Sequence, residues 1–370
     1  MNGRLSSMQT FTLLLVCLLA TAIIFGTPKQ VNDVWLVEIF SLIPAVMLFM
    51  MYVILLYADA GKGYYDLLIR AWGKYAGKAL VISYSTYFLY IGARNVRDML
   101  ELVMTTILRY TPGQVVVVLF VLVVAYAAAG GIQMLGRLSE SIVVFILLFF
   151  LTISILLLIS GSLDPERLLP LFSDGILPEL KESVTSTLWF PYGELIVFLV
   201  FAPRLGDRRQ FRKSGLLAII TAGMILTLSD LIQTAAMGKD YEKFSAFPLL
   251  DASRLINVVE FITRMDTLVG LIIIFGVVLK CAVFLYAGAQ GLSTVFRKAS
   301  RSYVVPLALL VGAMSLLVTR NFAEHSEEGL KYVIYVLHIP FQLLIPLCTG
   351  LLLKIRKPRK GGRHEPYPIS

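Results

Sequence analysis

The chain has 370 residues, 58% of them hydrophobic, with a mean hydropathy of +0.80 and a formal net charge of +9. Apolar runs of membrane-spanning length recur along nearly all of it, which excludes an ordinary soluble domain and leaves no room for a separate one. The positive charge therefore points to membrane topology and anionic lipid before nucleic acid. From the N-terminus, spans are expected over residues 8–27, 35–57, 78–101, 114–130, 141–161, 183–203, 214–237, 266–296, 303–319 and 330–353. The first apolar run lacks a small-residue cleavage site and is followed by many further spans, so it is read as a helix and not as a signal peptide.

Charge sets the orientation. One set of connections carries Lys62, Arg70, Lys74 and Lys78, then Arg137, then Arg204, Arg208, Arg209, Arg212 and Lys213, then Arg297, Lys298 and Arg301. The opposite set carries Asp164, Glu166, Asp174, Glu179 and Glu182, then Glu324, Glu327 and Glu328. Positive-inside bias puts both termini in the cytoplasm, which fits an even number of spans. Residues 354–370 form a basic cytoplasmic tail suited to anionic lipid. Two longer connections, 63–72 and 248–262, are amphipathic and read as short helices lying along an interface.

The most unusual stretch is Leu188-Trp189-Phe190-Pro191-Tyr192-Gly193-Glu194 in the sixth span. Proline removes a backbone donor and glycine adds freedom, so the helix is expected to unwind there. In hydrocarbon such backbone persists only where protein packs it or it lines a cavity. A carboxylate directly after the break marks a functional site. A weaker counterpart, Ala20-Thr21-Ala22 followed by Gly26-Thr27-Pro28, stands in the first span. Interrupted helices at matching places in two halves point to a midplane binding site. The expected architecture is thus an all-α integral membrane protein of ten transmembrane helices. It forms one polytopic domain over 1–370, built as a five-plus-five inverted repeat, 8–161 and 183–353, with helices one and six broken.

The expected ligand-binding residues are Thr21, Ala22, Pro191, Tyr192, Gly193 and Glu194. Lys280 lies deep in the eighth span, where a lysine costs roughly 2.5–3.5 kcal/mol unless it is partnered; it reads equally as a coupling charge and as half of a structural ion pair, with Glu194 one candidate partner. Asp230, with Gln233 and Thr234, reads as a structural or vestibule charge near the outer surface. Arg94, Arg97, Asp98 and Glu101 read as a solvated or subunit-facing charge set, and Tyr84, Tyr87 and Tyr90 as pocket-lining or, more commonly for such helices, packing and interface aromatics. Cys17, Cys281 and Cys348 lie in apolar segments without metal-ligand spacing, so no disulfide framework is expected. His325, His338 and His364 are scattered; neither metal nor cofactor is expected. With no phosphate loop or nucleophile–base pair in evidence, the chain is not expected to be an enzyme.

Several short motifs in order carry a resemblance: Gln9-Thr10-Phe11, Asp33-Val34-Trp35-Leu36, Thr111-Pro112, Leu168-Leu169-Pro170-Leu171, Phe190-Pro191-Tyr192-Gly193-Glu194, and Phe247-Pro248 leading into Arg254-Leu255. With these the chain resembles the B subunits of spore germinant receptors, within the amino acid/polyamine/organocation transporter superfamily. The resemblance implies the five-plus-five fold, a place in the spore inner membrane, recognition of a small nutrient such as an amino acid, and action with an A subunit and a lipoprotein C subunit. The wider superfamily usually has glycine near the unwound point of its first helix, whereas Ala20 and Ala22 stand there in this chain. A proton-coupled amino acid transporter working through Glu194 is the alternative expectation.

Overall fold

A computed structural model describes residues 4–26, 31–57, 62–256, 265–319 and 321–355. Among these the chain is helical throughout, with no strand. The first half contains α1 (Ser7–Leu19), α2 (Ala22–Phe25), α3 (Val34–Tyr57), α4 (Tyr64–Trp72), α5 (Lys74–Thr106), α6 (Gly113–Ala129) and α7 (Gly131–Ile159). A 3-10 turn at Pro165–Leu168 leads to α8 (Leu177–Glu182), a π turn at Ser183–Thr187 and a 3-10 segment at Tyr192–Arg204. Then come α9 (Arg208–Met237), α10 (Lys239–Phe244), α11 (Pro248–Ser253), α12 (Asp266–Phe296), α13 (Arg301–Leu317) and α14 (Phe322–Glu328). A π segment at Gly329–Leu344 continues into α15 (Ile345–Ile355).

Seven of the helical stretches are long and apolar enough to cross a membrane, and Gly113–Ala129 and Arg301–Leu317 are shorter apolar helices. Helix α5 is longer than most, but Lys74, Lys78, Arg94, Arg97, Asp98 and Glu101 punctuate it. Two of the expected spans start earlier than read: α7 begins at Gly131 and α9 at Arg208, because residues such as Gln133, Arg137 and Glu140, and Arg208 to Lys213, continue each helix beyond its apolar stretch. The amphipathic expectation at 63–72 is met by α4. That at 248–262 is met by α11 as far as Ser253, and its residues 257–262 lie outside the described ones, as do 27–28 and 356–370.

Local chemistry sets several ends. Ser6 caps α1 by accepting from the Gln9 amide at 3.0 Å, and the Gln9 side chain accepts from the Ser6 amide at 3.2 Å, a reciprocal capping box. Asp207 caps α9 through the Gln210 amide at 2.6 Å. Helices α3 and α9 run antiparallel, so the bundle has a basic end near Arg208 and an opposite end near Asp33 and Lys239.

The core lies where three stretches meet. Ser7–Phe25, Leu177–Arg204 and Asp266–Phe296 are 78, 78 and 72% buried, against 22–50% for the other four long stretches. Helix α12 is the hub, packed on α5, α7, α6, α13 and α1. Both interrupted stretches therefore sit inside protein, where unwound backbone is permissible.

Candidate functional site

Helix α1 stops at Leu19; Ala20 and Thr21 intervene, and α2 resumes for a turn. Both intervening residues are fully buried. Where Ala20 stands, the room for close approach is supplied by the facing helix. A Cβ on Gly276 of α12 would stand 2.8 Å from Ala20 Cα and 3.3 Å from its carbonyl oxygen. Ala20 is tolerated because the facing helix has no side chain at Gly276.

The second break follows the π turn. Pro191 brings no N–H, yet Gly193 N donates to Leu188 O at 2.9 Å and Glu194 N to Pro191 O at 3.3 Å, so the bent backbone stays bonded to itself. The Gln342 side-chain amide of the last long helical stretch occupies the space a Cβ on Gly193 would need, so any larger residue there must displace it. Tyr52 of α3 donates to the carbonyls of Gly193 at 3.2 Å and Gln342 at 2.8 Å, tying the break from a third side.

Between the breaks lies a buried ion pair. Lys280 Nζ is 2.7 Å from Glu194 Oε2, and no further donor among the described residues reaches that oxygen. Lys280 also donates to Thr21 Oγ1 at 3.1 Å, Thr21 donates to Asn95 Oδ1 at 3.3 Å, and the Phe190 ring centroid lies 4.9 Å from the ammonium. Thus the first break, the second break, α5 and α12 each contribute. Of the expected site residues, Thr21, Glu194 and Lys280 come together, with Pro191 and Gly193 shaping the bend. Ala22 is buried in α2, and the Tyr192 hydroxyl is taken up by Glu38 of α3 at 2.9 Å. Asp230 is buried on α9, seven residues before its Met237 end, and its backbone carbonyl accepts from Thr234 Oγ1 at 2.9 Å.

Sequence reading missed Asn95, Phe190 and a polar cluster beside Gly193. There, Gln342 Nε2 donates to Tyr87 Oη at 2.8 Å, and Tyr87 Oη lies 2.8 Å from His338 Nδ1. Gln342 Oε1 is buried against Gly193 with no donor among the described residues. The usable signal was His338 and Gln342 four apart, one helical face, in an apolar run.

The α5 charge set is corrected. Arg94 is buried, donating to the His325 carbonyl at 2.6 Å and lying 3.5 Å from Glu328, while Asp98 meets His325 Nε2 at 2.8 Å. These charges fasten α14 to α5, which no solvated surface would do. At the same end, Asp33 receives Lys239 Nζ at 2.6 Å and the Phe172 amide at 2.7 Å, and Lys239 also donates to Pro170 O at 2.8 Å. Two of the resemblance motifs, the Asp33 and Pro170 stretches, therefore meet. A third packs close by, Phe247 on Phe25 with ring centroids 5.4 Å apart.

The sequence profile of the spore permease family, described as spore germination protein, matches residues 4–323. The chain belongs to this family. It is 31% identical over 365 residues to Spore germination protein KB of Bacillus subtilis (strain 168), covering 97% of each chain. It is also 27% identical to Spore germination protein YndE and 24% identical to Spore germination protein B2 of the same organism, covering 78% and 71% of this chain. This spore germination protein is thus a multi-pass membrane protein, and the resemblance read from its motifs holds. The profile match ends before His338 and Gln342, so it covers Tyr87 and Gly193 but not the other two members of that cluster.

Proposed function

We propose that this chain is the nutrient-sensing membrane subunit of a spore germinant receptor and that its ligand is a zwitterionic amino acid bound between the two helix breaks. The observation that carries this reading is the buried Lys280–Glu194 pair at the meeting of both breaks. A zwitterion brings one charge of each sign. Its carboxylate would take Lys280 and Thr21, and its ammonium would take Glu194 Oε2, with Gln342 Oε1 as a further acceptor. Inserted this way, it parts the pair without leaving either charge bare, which a neutral or singly charged solute cannot do. The two arrangements, pair closed and pair opened around ligand, are the two states a sensor needs, and the ligand shifts them by its differential affinity.

The five-plus-five inverted repeat of ten helices is part of this reading. Its support is direction: the end of the second broken stretch meets the start of the first, with Leu5 N donating to Arg204 O at 2.8 Å, so the broken stretches run oppositely. Placement in the spore inner membrane with both termini cytoplasmic, and assembly with A and C subunits, complete the proposal. No catalytic step is assigned to it. The transporter reading, with Glu194 as a proton carrier, differs in one respect: it requires net flux.

The test is binding of labelled amino acids to the purified receptor complex. The expected result is that analogues lacking either charge, N-acetyl or C-amide forms, bind at least about tenfold more weakly, since each leaves one buried charge unpaired. Equal affinity for parent and N-acetyl forms would overturn the zwitterion model. Sustained uptake into proteoliposomes would replace the sensor with the transporter.

A further inference from the structure

The last long helical stretch is wound in two ways. Gly329–Leu344 bonds in the π register for 16 residues, and Ile345–Ile355 continues as α-helix. π geometry usually lasts a single turn, so a run of this length needs something outside it to hold it. Proline leaves the opening. Ile345 N donates to Pro340 O, five residues back, and Pro346 has no N–H, so neither donor able to close a turn on Phe341 O is available. Tyrosines fill the gap from neighbouring helices. Tyr84 of α5 donates to Phe341 O at 2.6 Å, and Tyr52 of α3 donates to Gln342 O at 2.8 Å, whose α-type donor would also have been Pro346. Tyr87 of α5 accepts from Gln342 Nε2 at 2.8 Å and stacks its ring on Phe341, with centroids 4.7 Å apart.

The same helix holds the other end. Arg94 donates to His325 O at 2.6 Å, and its guanidinium fills the space a Cβ on Gly329 would need. Tyr84 and Arg94 are ten residues apart on α5, about 15 Å, and Arg94 leans back over Tyr90 Oη at 3.4 Å, which shortens the gap. Gly329 and Phe341 are twelve residues apart, about 18 Å if the stretch were α-helical. Bonding five residues back gives a wider, shorter coil, so the π form is the one that fits between the clamps on α5. We propose that Gly329–Leu344 is a register switch: α5 and α3 hold it in its compact π form while the Lys280–Glu194 pair is closed, and parting the pair frees it to rewind as α-helix. The link is Gln342, whose amide occupies the space beside Gly193, next to Glu194. A shift of that bend displaces Gln342 and with it the carbonyls that Tyr52 and Tyr84 hold. The rewound stretch is longer and drives α15 toward the basic end of the bundle, where Thr349 accepts from Trp72 Nε1 of α4 at 3.0 Å. The trigger rests on the ligand reading proposed above; the switch itself does not.

The experiment uses the full-length protein in detergent, with Cys348→Ala and spin labels on Ser326→Cys and Ile355→Cys, exposed positions at either end of the stretch; Cys17 and Cys281 are buried. Double electron–electron resonance reads the distance between the labels. Tyr52→Phe with Tyr84→Phe removes both hydroxyls and keeps both rings, and the distance is expected to lengthen by at least about 3 Å, the difference between the two spacings above. Pro346→Ala restores a helical N–H with every tyrosine in place; the same lengthening is expected, which keeps the test decisive if the tyrosine variant folds poorly. Tyr65→Phe loses a bond of the same kind, to Ala287 O at 2.8 Å, away from the stretch and should leave the distance unchanged. In the wild type, an equimolar mixture of the proteinogenic amino acids should produce the longer distance. Unchanged distances in both the tyrosine pair and Pro346→Ala, or an equal change in Tyr65→Phe, would overturn the switch. Lengthening in those variants with none on addition of amino acids would support the switch and sink the ligand reading instead.

Discussion

Glu194 and Lys280 meet 2.7 Å apart where side-chain exposure is 7% and 0%, so neither charge has water to fall back on. A buried pair of this kind is weak evidence of stability by itself, but removing one partner leaves the other bare. Glu194→Gln is therefore expected to lower unfolding free energy by about 3–5 kcal/mol. The double variant Glu194→Gln with Lys280→Met should recover most of that loss, because no charge remains in the core. Thermal or denaturant unfolding of the four proteins checks it; a double variant as unstable as the two losses added would mean the charges are not coupled. Gly276 poses a steric question beside the same pair. Its missing Cβ is what lets α12 approach Ala20, so Gly276→Ala should cost about 1–3 kcal/mol and displace the first break. A crystallographic or cryo-EM map with Ala20 unmoved and stability unchanged would contradict this.

Among elements, the bend at Pro191–Gly193 and the π segment Gly329–Leu344 explain each other. The Gln342 side chain occupies the space a Cβ on Gly193 would need, and the Tyr52 hydroxyl bonds carbonyls of both segments. Gly193→Ala should destabilise by about 1–3 kcal/mol through overpacking, and adding Gln342→Ala should relieve part of it, a coupling visible in a double-mutant cycle. Additive effects would show that the two segments do not share that space. The bend was legible in the sequence because Pro, Gly and Glu break an apolar run. Its partner was not, since a long-range contact leaves no periodic trace. The same limit explains Arg94: spacing on one helix placed Arg94, Arg97, Asp98 and Glu101 on a surface, but only the fold brings α14 over them. Arg94→Gln should cost about 1.5–3 kcal/mol, as expected for a charged hydrogen bond, and should speed hydrogen exchange in α14 before the rest of the bundle.

For the whole molecule, lipid as solvent made the helices easy to read and their arrangement hard. An apolar run announces a span because backbone groups must bond internally in hydrocarbon, whereas which spans touch depends on small residues and sparse polar contacts. That Lys280 needs a partner was legible in the sequence because an unpartnered membrane charge is so costly, but Glu194 was only a candidate until the fold brought the two together, and Asn95 carries no such penalty to give it away. Orientation rests on basic residues at one end of the bundle, and α9 offers a direct check. Its 30 residues extend about 45 Å at 1.5 Å each, longer than the roughly 30 Å hydrocarbon core, so as a span it would place its two ends in opposite compartments. With the exposed Cys348 replaced by alanine, Arg209→Cys should react with a membrane-impermeant maleimide only from the cytoplasmic side. Tyr241→Cys, exposed just beyond the other end, should react only from outside. The reverse pattern would turn the whole chain over, putting both termini outside, and labelling of both sites from one side would mean that α9 does not span.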